Sequence, residues 1–160
     1  MTISDVLTSD LVIPALEAGD AGQAIHVLAA RLAEAHADVE EPRLLETLLA
    51  REQQVTTALG DGVAIPHARI PGLERTVAAL GRSPRGIAWG SLDGRPTHLV
   101  LVLAGPASAP GTYLRTLASV SRLLGDRRCR ERLLAAEDAS ALITVLREEE
   151  LRFGRVRSAA

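Results

Sequence analysis

THLVLVLA, residues 97–104, decides the fold of this chain. After its first two residues the stretch is apolar without a break, so a strand built from it has no face left for water. A strand of that kind belongs in the middle of a sheet with helices packed above and below. The pair Asp93-Gly94 ahead of it is a turn signal, and His98 sits at its entry as a polar end residue. Working upstream, Val77 to Gly81 suits a strand and Gly86 to Trp89 a second, shorter one. Downstream, GPASAPG (105–111) is a loop. It leads into a helix from about Thr112, with Leu114, Leu117, Ala118, Val120 and Leu124 at helical spacing and Gly125 at its close.

The remaining chain reads as helices around that sheet. A helical turn from Ser4 to Leu7 precedes a short strand from Leu11 to Ile13, ended by Pro14. Asp20 is placed to cap a helix whose apolar face holds Ala24, Ile25, Leu28, Ala29 and Leu32. A second runs from about Glu41 to Glu52, with Pro42 in its first turn and Leu44, Leu45, Leu48 and Leu49 on its buried side. Toward the end, Arg128 to Ala136 follows a cap at Asp126, and Ala139 to Glu149 forms a last helix. The basic tail LRFGRVRSAA (151–160) lacks periodicity and is expected to be loosely ordered, leaving one domain over residues 1–150.

Composition removes several classes of function. All 18 basic residues are arginine, so P-loop nucleotide hydrolysis and Schiff-base chemistry lack their lysine. The net charge of −2 offers no basic stripe for nucleic acid. No apolar run reaches the roughly 20 residues of a membrane helix, and the N-terminus lacks a signal-peptide plan, so a cytoplasmic protein without membrane insertion is expected. Cys129 is alone, which excludes an internal disulfide and a cysteine metal cluster and suggests a small buried helix residue. His26 and His36 have no ligand at metal spacing and read as solvated surface residues. Neither a metal nor a cofactor is expected.

The chemistry concentrates in REQQVTTALGDGVAIPHARI, residues 51–70. It reads as a helix end, a polar loop with Thr56 and Thr57, a tight turn at Gly60-Asp61-Gly62, a brief strand, and Pro66 halting that strand with His67 at its tip. Signatures of metal hydrolysis, serine acyl transfer and paired-carboxylate catalysis are missing, and a lone GxG is too weak for a dinucleotide site. What remains is an imidazole with hydroxyls, backbone donors and an arginine. Neutral imidazole is a good nucleophile near pH 7, and phosphoryl transfer needs positioning and charge stabilisation more than covalent machinery. His67 would accept the phosphoryl group, Arg51 would pair with its oxygens, and Thr56, Thr57, Gly60 and Gly62 would cradle them. The bland alternative is a surface histidine and a helix-end arginine that never meet.

This stretch resembles the phosphohistidine motif of the IIA domains of the bacterial phosphotransferase system, in the fructose/mannitol class and its nitrogen-regulatory branch. Arg51, Glu52, Gly60, Gly62, Ala64, Ile65, Pro66 and His67 match that motif, and Thr56 takes the usual serine position. The resemblance extends from about Leu11 to Leu146 through DGRPTHLVLVLAGP and YLRTLASVSRLL. It implies an α/β fold, a mixed β-sheet flanked by helices on both faces. It also implies a histidine-containing phosphocarrier protein as donor to His67, and a IIB domain or a regulatory target as the onward partner. Ala58, Ala68 and Asp61 depart from the motif, Asp61 adding a carboxylate beside the incoming group, and Tyr113 stands where the family has its second active-site histidine. No sugar-binding or membrane unit lies within these 160 residues, so a regulatory role is expected before a transporting one. A binding module that has kept the fold but lost the phosphoryl cycle is the other reading.

Overall fold

The protein, seen in a computed structural model that describes residues 2–159, is a six-stranded mixed sheet with helices on both faces. Strand β1 is Val12–Ile13, β2 Ala58–Gly60, β3 Val63–Ala64, β4 His67–Ile70, β5 Val77–Ile87 and β6 Thr97–Pro106. The helices are α1 (Ile3–Val6), α2 (Ala21–Ala35), α3 (Glu41–Gln54), α4 (Pro110–Gly125), α5 (Arg127–Ala135) and α6 (Ala139–Ala159). The sheet order is β1-β5-β6-β3-β2, with β4 also paired to β6. Strand β6 is central as its composition requires, and Leu99 to Ala104 are all 1% exposed or less. Helices α2 and α3 pack on each other and against β5 and β4, while α4, α5 and α6 pack together, with α4 against β6. Among the described residues no helix is long and apolar enough to cross a membrane.

The run from Val63 to Ile70 is laid along β6 in two pieces. Val63 and Ala64 pair in parallel with Leu99 and Val100, and His67 to Ile70 pair with Leu103 to Pro106. Pro66 has no N–H to give, yet its carbonyl accepts from Leu103 N at 2.9 Å, so the ladder is interrupted rather than ended. His67 therefore opens a new strand instead of closing an old one.

Three elements differ from the sequence reading. The two strands expected around 77–89 are one strand, β5, antiparallel to β6, whose register slips between Arg82 and Ile87. Gly86 closes that irregularity with φ +83, where an added Cβ would lie 2.8 Å from Pro96 Cβ. Helix α4 starts at Pro110 and buries Tyr113, Val120, Leu123 and Leu124, leaving Leu114 58% exposed. Two apolar sets share that helix at compatible spacing, and packing on β6 selects one. The basic tail is not loosely ordered but continues α6 to Ala159. At its start Arg152 pairs with Glu149 and with Asp126, its guanidinium lies 4.6 Å from the Phe153 ring centroid, and Phe153 packs partly buried against the core.

Side chains away from the sheet centre complete the frame. Asp20 and Asp126 cap α2 and α5 as expected, accepting from Gln23 N and Cys129 N. Cys129 is fully buried, and burial first, then the nearby Glu149 charge, pushes its thiol up to about 12. Arg82, only 8% exposed, donates from Nε to the Pro14 carbonyl and from Nη1 to Leu133 and Ala136 at the end of α5. His26 is exposed as expected, but His36 is partly buried, with Arg75 Nη2 at 3.0 Å from its Nδ1. Burial first, then the Arg75 charge, lowers the His36 pKa.

Candidate functional site

His67 sits at the start of β4 on the edge of an open cleft of about 860 Å³, walled by α3 from Arg43 to Gln54 and by the first turns of α4. Its Nδ1 lies 2.7 Å from the Ile65 carbonyl. A carbonyl can only accept, so Nδ1 carries a hydrogen, and in the neutral ring Nε2 is the nitrogen with the lone pair. The break in the ladder at Ile65 and Pro66 supplies this contact, because it frees the Ile65 carbonyl for the imidazole two residues later. Strand alternation then puts Arg69 on the same side as His67, with Ala68 turned into the core between them.

Arg51 and Tyr113 line the same cleft, so three of the side chains singled out in the sequence, His67, Arg51 and Tyr113, come together in the fold. The Tyr113 ring lies 6.5 Å from the imidazole, centroid to centroid, tilted by 40°. It rests directly on the backbone of β6 at Gly105, where an added Cβ would come 2.4 Å from Tyr113 Cδ2. Burial pushes the phenol up to about 12, against the pull of the Arg69 and Arg51 charges, so it stays a neutral donor. Its hydroxyl has no hydrogen-bond partner among the described residues. Arg51 has a structural task as well, donating from Nη1 to the Val55 carbonyl at 3.0 Å beyond the end of α3.

The expected phosphoryl cradle is not where the sequence suggested. Gly60 and Gly62 flank the β2–β3 turn, and His98 N and Leu99 N both donate to the Gly62 carbonyl. His67 pairs four residues further along β6, at Leu103, roughly 13 Å away at the usual rise per residue. Asp61 goes with that turn and faces Arg95 and Arg130 rather than the cleft. The glycines serve the turn itself, with φ of +86 and +80 either side of Asp61 at +53.

Thr56 and Thr57 lie closer to His67 but their hydroxyls are already used. Both donate to the Glu52 carboxylate, Thr56 Oγ1 at 3.0 Å, and Thr56 Oγ1 also accepts from Ala58 N. Glu52 further accepts from Thr57 N at 3.1 Å and from Trp89 Nε1 at 2.9 Å. It is thus the hub of the loop that joins α3 to β2. The sequence reading matched Glu52 within the motif yet gave it no role, and it missed Arg69 altogether. Period-two spacing from His67 was the available signal for Arg69; nothing in the sequence tied Trp89 to Glu52. No group of acidic, histidine and cysteine side chains among the described residues could hold a metal ion.

Comparison with known proteins fixes the family. The sequence pattern of the phosphoenolpyruvate-dependent sugar phosphotransferase system, EIIA 2, matches residues 5–149. This chain is a member of that EIIA family. The EIIA chain is 40% identical over 146 residues to a nitrogen regulatory protein of Bradyrhizobium diazoefficiens, covering 91% of this chain and 95% of that protein. The crystal structure of the nitrogen regulatory protein IIA-Ntr from Neisseria meningitidis superposes with a TM-score of 0.84 at 26% identity, over 90% of this chain and 98% of that one. A complex of mannitol enzyme IIA with phosphorylated enzyme IIB from Escherichia coli contains the same fold, with a TM-score of 0.73 at 20% identity over 89% and 97% of the two chains.

Proposed function

We propose that this EIIA chain is a cytoplasmic phosphohistidine carrier with a regulatory, nitrogen-type role, loaded by a histidine-containing phosphocarrier protein. The observation that carries the reading is the Nδ1–H of His67 committed to the Ile65 carbonyl, which leaves Nε2 as the nucleophile. In the transfer, a bond forms from Nε2 to phosphorus as the donor's phosphorus–nitrogen bond breaks. The electron pair returns to the donor imidazole, and the Nδ1 hydrogen stays on His67, donated to the Ile65 carbonyl. Arg51 supplies positive charge to the phosphoryl oxygens and Tyr113 a neutral hydrogen bond.

Tyr113 favours a regulatory role over a relay. A histidine there could become cationic near neutral pH and ease charge movement in onward transfer, whereas a phenol with a pKa near 12 cannot. The phosphorylated state should consequently persist long enough to be read by another protein. An acceptor of the IIB class, such as the one complexed with the E. coli mannitol IIA, is the alternative outlet.

The test is incubation with phosphoenolpyruvate and the general phosphotransferase proteins of the source organism. Wild type should take up one acid-labile phosphoryl group and His67→Ala none. Equal labelling of the two would move the site elsewhere, and an unlabelled wild type would leave only the binding-module reading.

A further inference from the structure

The cleft is short of one cation if only Arg51 serves the phosphoryl group, because a buried neutral tyrosine stands opposite His67. Two other guanidiniums line the cleft, Arg43 in the first turn of α3 and Arg69, and Arg69 is the one carried on the strand of His67. Arg69 is two residues beyond His67 on β4, roughly 6.6 Å away at Cα by strand rise, and on the same exposed side. It lines the cleft with Arg51, His67 and Tyr113. Most arginines of this protein are engaged: Arg82, Arg130, Arg132 and Arg152 all hold carbonyls or carboxylates. Arg69 has neither a carboxylate within 4 Å nor a hydrogen-bond acceptor among the described residues, although Glu46 lines the same cleft. Its charge reaches the right place, since it acts on the Tyr113 hydroxyl more strongly than Arg51 does.

Building on the phosphohistidine reading, we propose that Arg69 is the second phosphoryl-binding cation of the cleft, supplying from β4 the positive charge that Tyr113 cannot supply from α4. Arg51 and Arg69 then hold the phosphoryl oxygens from two elements, the first anchored on Val55 and the second swinging in from the rim. An arginine suits this task better than lysine, because its planar fork can bind two oxygens at once. The free guanidinium costs nothing to recruit, since no existing ion pair must be broken.

The experiment uses phosphoramidate as a small-molecule phosphoryl donor, so that docking of a protein donor plays no part. Wild type, Arg69→Gln and Arg69→Lys are compared for the rate of His67 phosphorylation and, by phosphorus NMR, for the pH at which the attached phosphoryl group takes up its last proton. Arg69→Gln should slow the reaction by about 10-fold or more, the loss of one charge-assisted hydrogen bond. Its phosphoryl group should also protonate at higher pH than in wild type, because a stabilising cation is gone. Arg69→Lys should recover much of both effects, which a purely structural role would not predict. Melting temperatures should be unchanged, Arg69 being exposed. Wild type labelled on His67 with Arg69→Gln equal in rate and titration would overturn the role of Arg69 alone. Wild type without label on His67 would overturn the phosphohistidine reading and this role with it.

Discussion

Tyr113 and His67 face each other across the cleft, their ring centroids 6.5 Å apart. The phenol is pressed onto β6 at Gly105 and its pKa is pushed up to about 12 by burial, so it offers the same hydrogen bond throughout the neutral range. Release of the phosphoryl group to an acceptor domain of the IIB class should therefore show no step attributable to residue 113 between pH 6 and 9. Tyr113→His should speed that release and introduce a step near pH ~6.5, the usual imidazole value. Tyr113→Phe should preserve or lengthen the lifetime. Rates for wild type equal to those of Tyr113→His across that range would remove the main support for a signalling role.

The loop between α3 and β2 is organised by Glu52, which gathers two hydroxyls, a backbone N–H and the indole N–H of Trp89 on one carboxylate. Hydrogen bonds to a charged group are each worth about 1.5 to 3 kcal/mol, and here the donors are shared between sequence-distant pieces. Glu52→Ala should accordingly destabilise the fold by about 2 kcal/mol or more, measured by urea denaturation. The protein has a single tryptophan, so its fluorescence reports this contact directly. Emission should shift to the red, and the Thr57 amide should exchange faster with solvent. Unchanged emission and exchange would mean that Trp89 and Thr57 are held by packing alone. An altered loop would also move Arg51, whose guanidinium is anchored on Val55 within the same turn.

Across the molecule, the helices away from the cleft are joined by a buried charge. Glu149 on α6 is 1% exposed and is met by Arg128 and Arg132 of α5 and by Arg152 one turn further along α6. Burial pushes its carboxyl upward, but hydrogen bonds from Arg132 and Arg152, with their charges, outweigh this and hold it below the usual carboxylate range. A pKa depressed by folding contributes stability that is complete above the unfolded value of about 4.3 and is lost as pH falls through the folded value. The urea midpoint should thus drop steeply on the acid side of about pH 4.3. Glu149→Gln should flatten that limb while lowering stability near pH 7 by about 1 to 3 kcal/mol, because Arg128, Arg132 and Arg152 lose a shared carboxylate while Arg132 keeps Glu148 and Arg152 keeps Asp126. An acid limb of the same slope in the variant would assign the loss to other carboxylates.

The sequence alone determined the centre of the sheet and most of the helices, because each depends on local chemistry. An unbroken apolar run must be buried on both faces, a capping aspartate must precede its helix, and proline must interrupt a ladder. Motif resemblance placed Tyr113 opposite His67 before any geometry was known. Tertiary structure decided everything that depends on which end of a strand meets which element. Gly60 and Gly62 are near His67 in the chain but separated from it by the length of β3, so proximity in sequence was no guide to which groups surround the histidine. Thr56 and Thr57 were legible as hydroxyls near the histidine, but only the fold shows that Glu52 has already engaged them. The same holds for the C-terminal turns of α6, where no apolar period announces a helix. Ion pairs from Arg152 to Asp126 and Glu149, residues that only the packed helices bring within reach, and Phe153 against the core anchor the start of those turns.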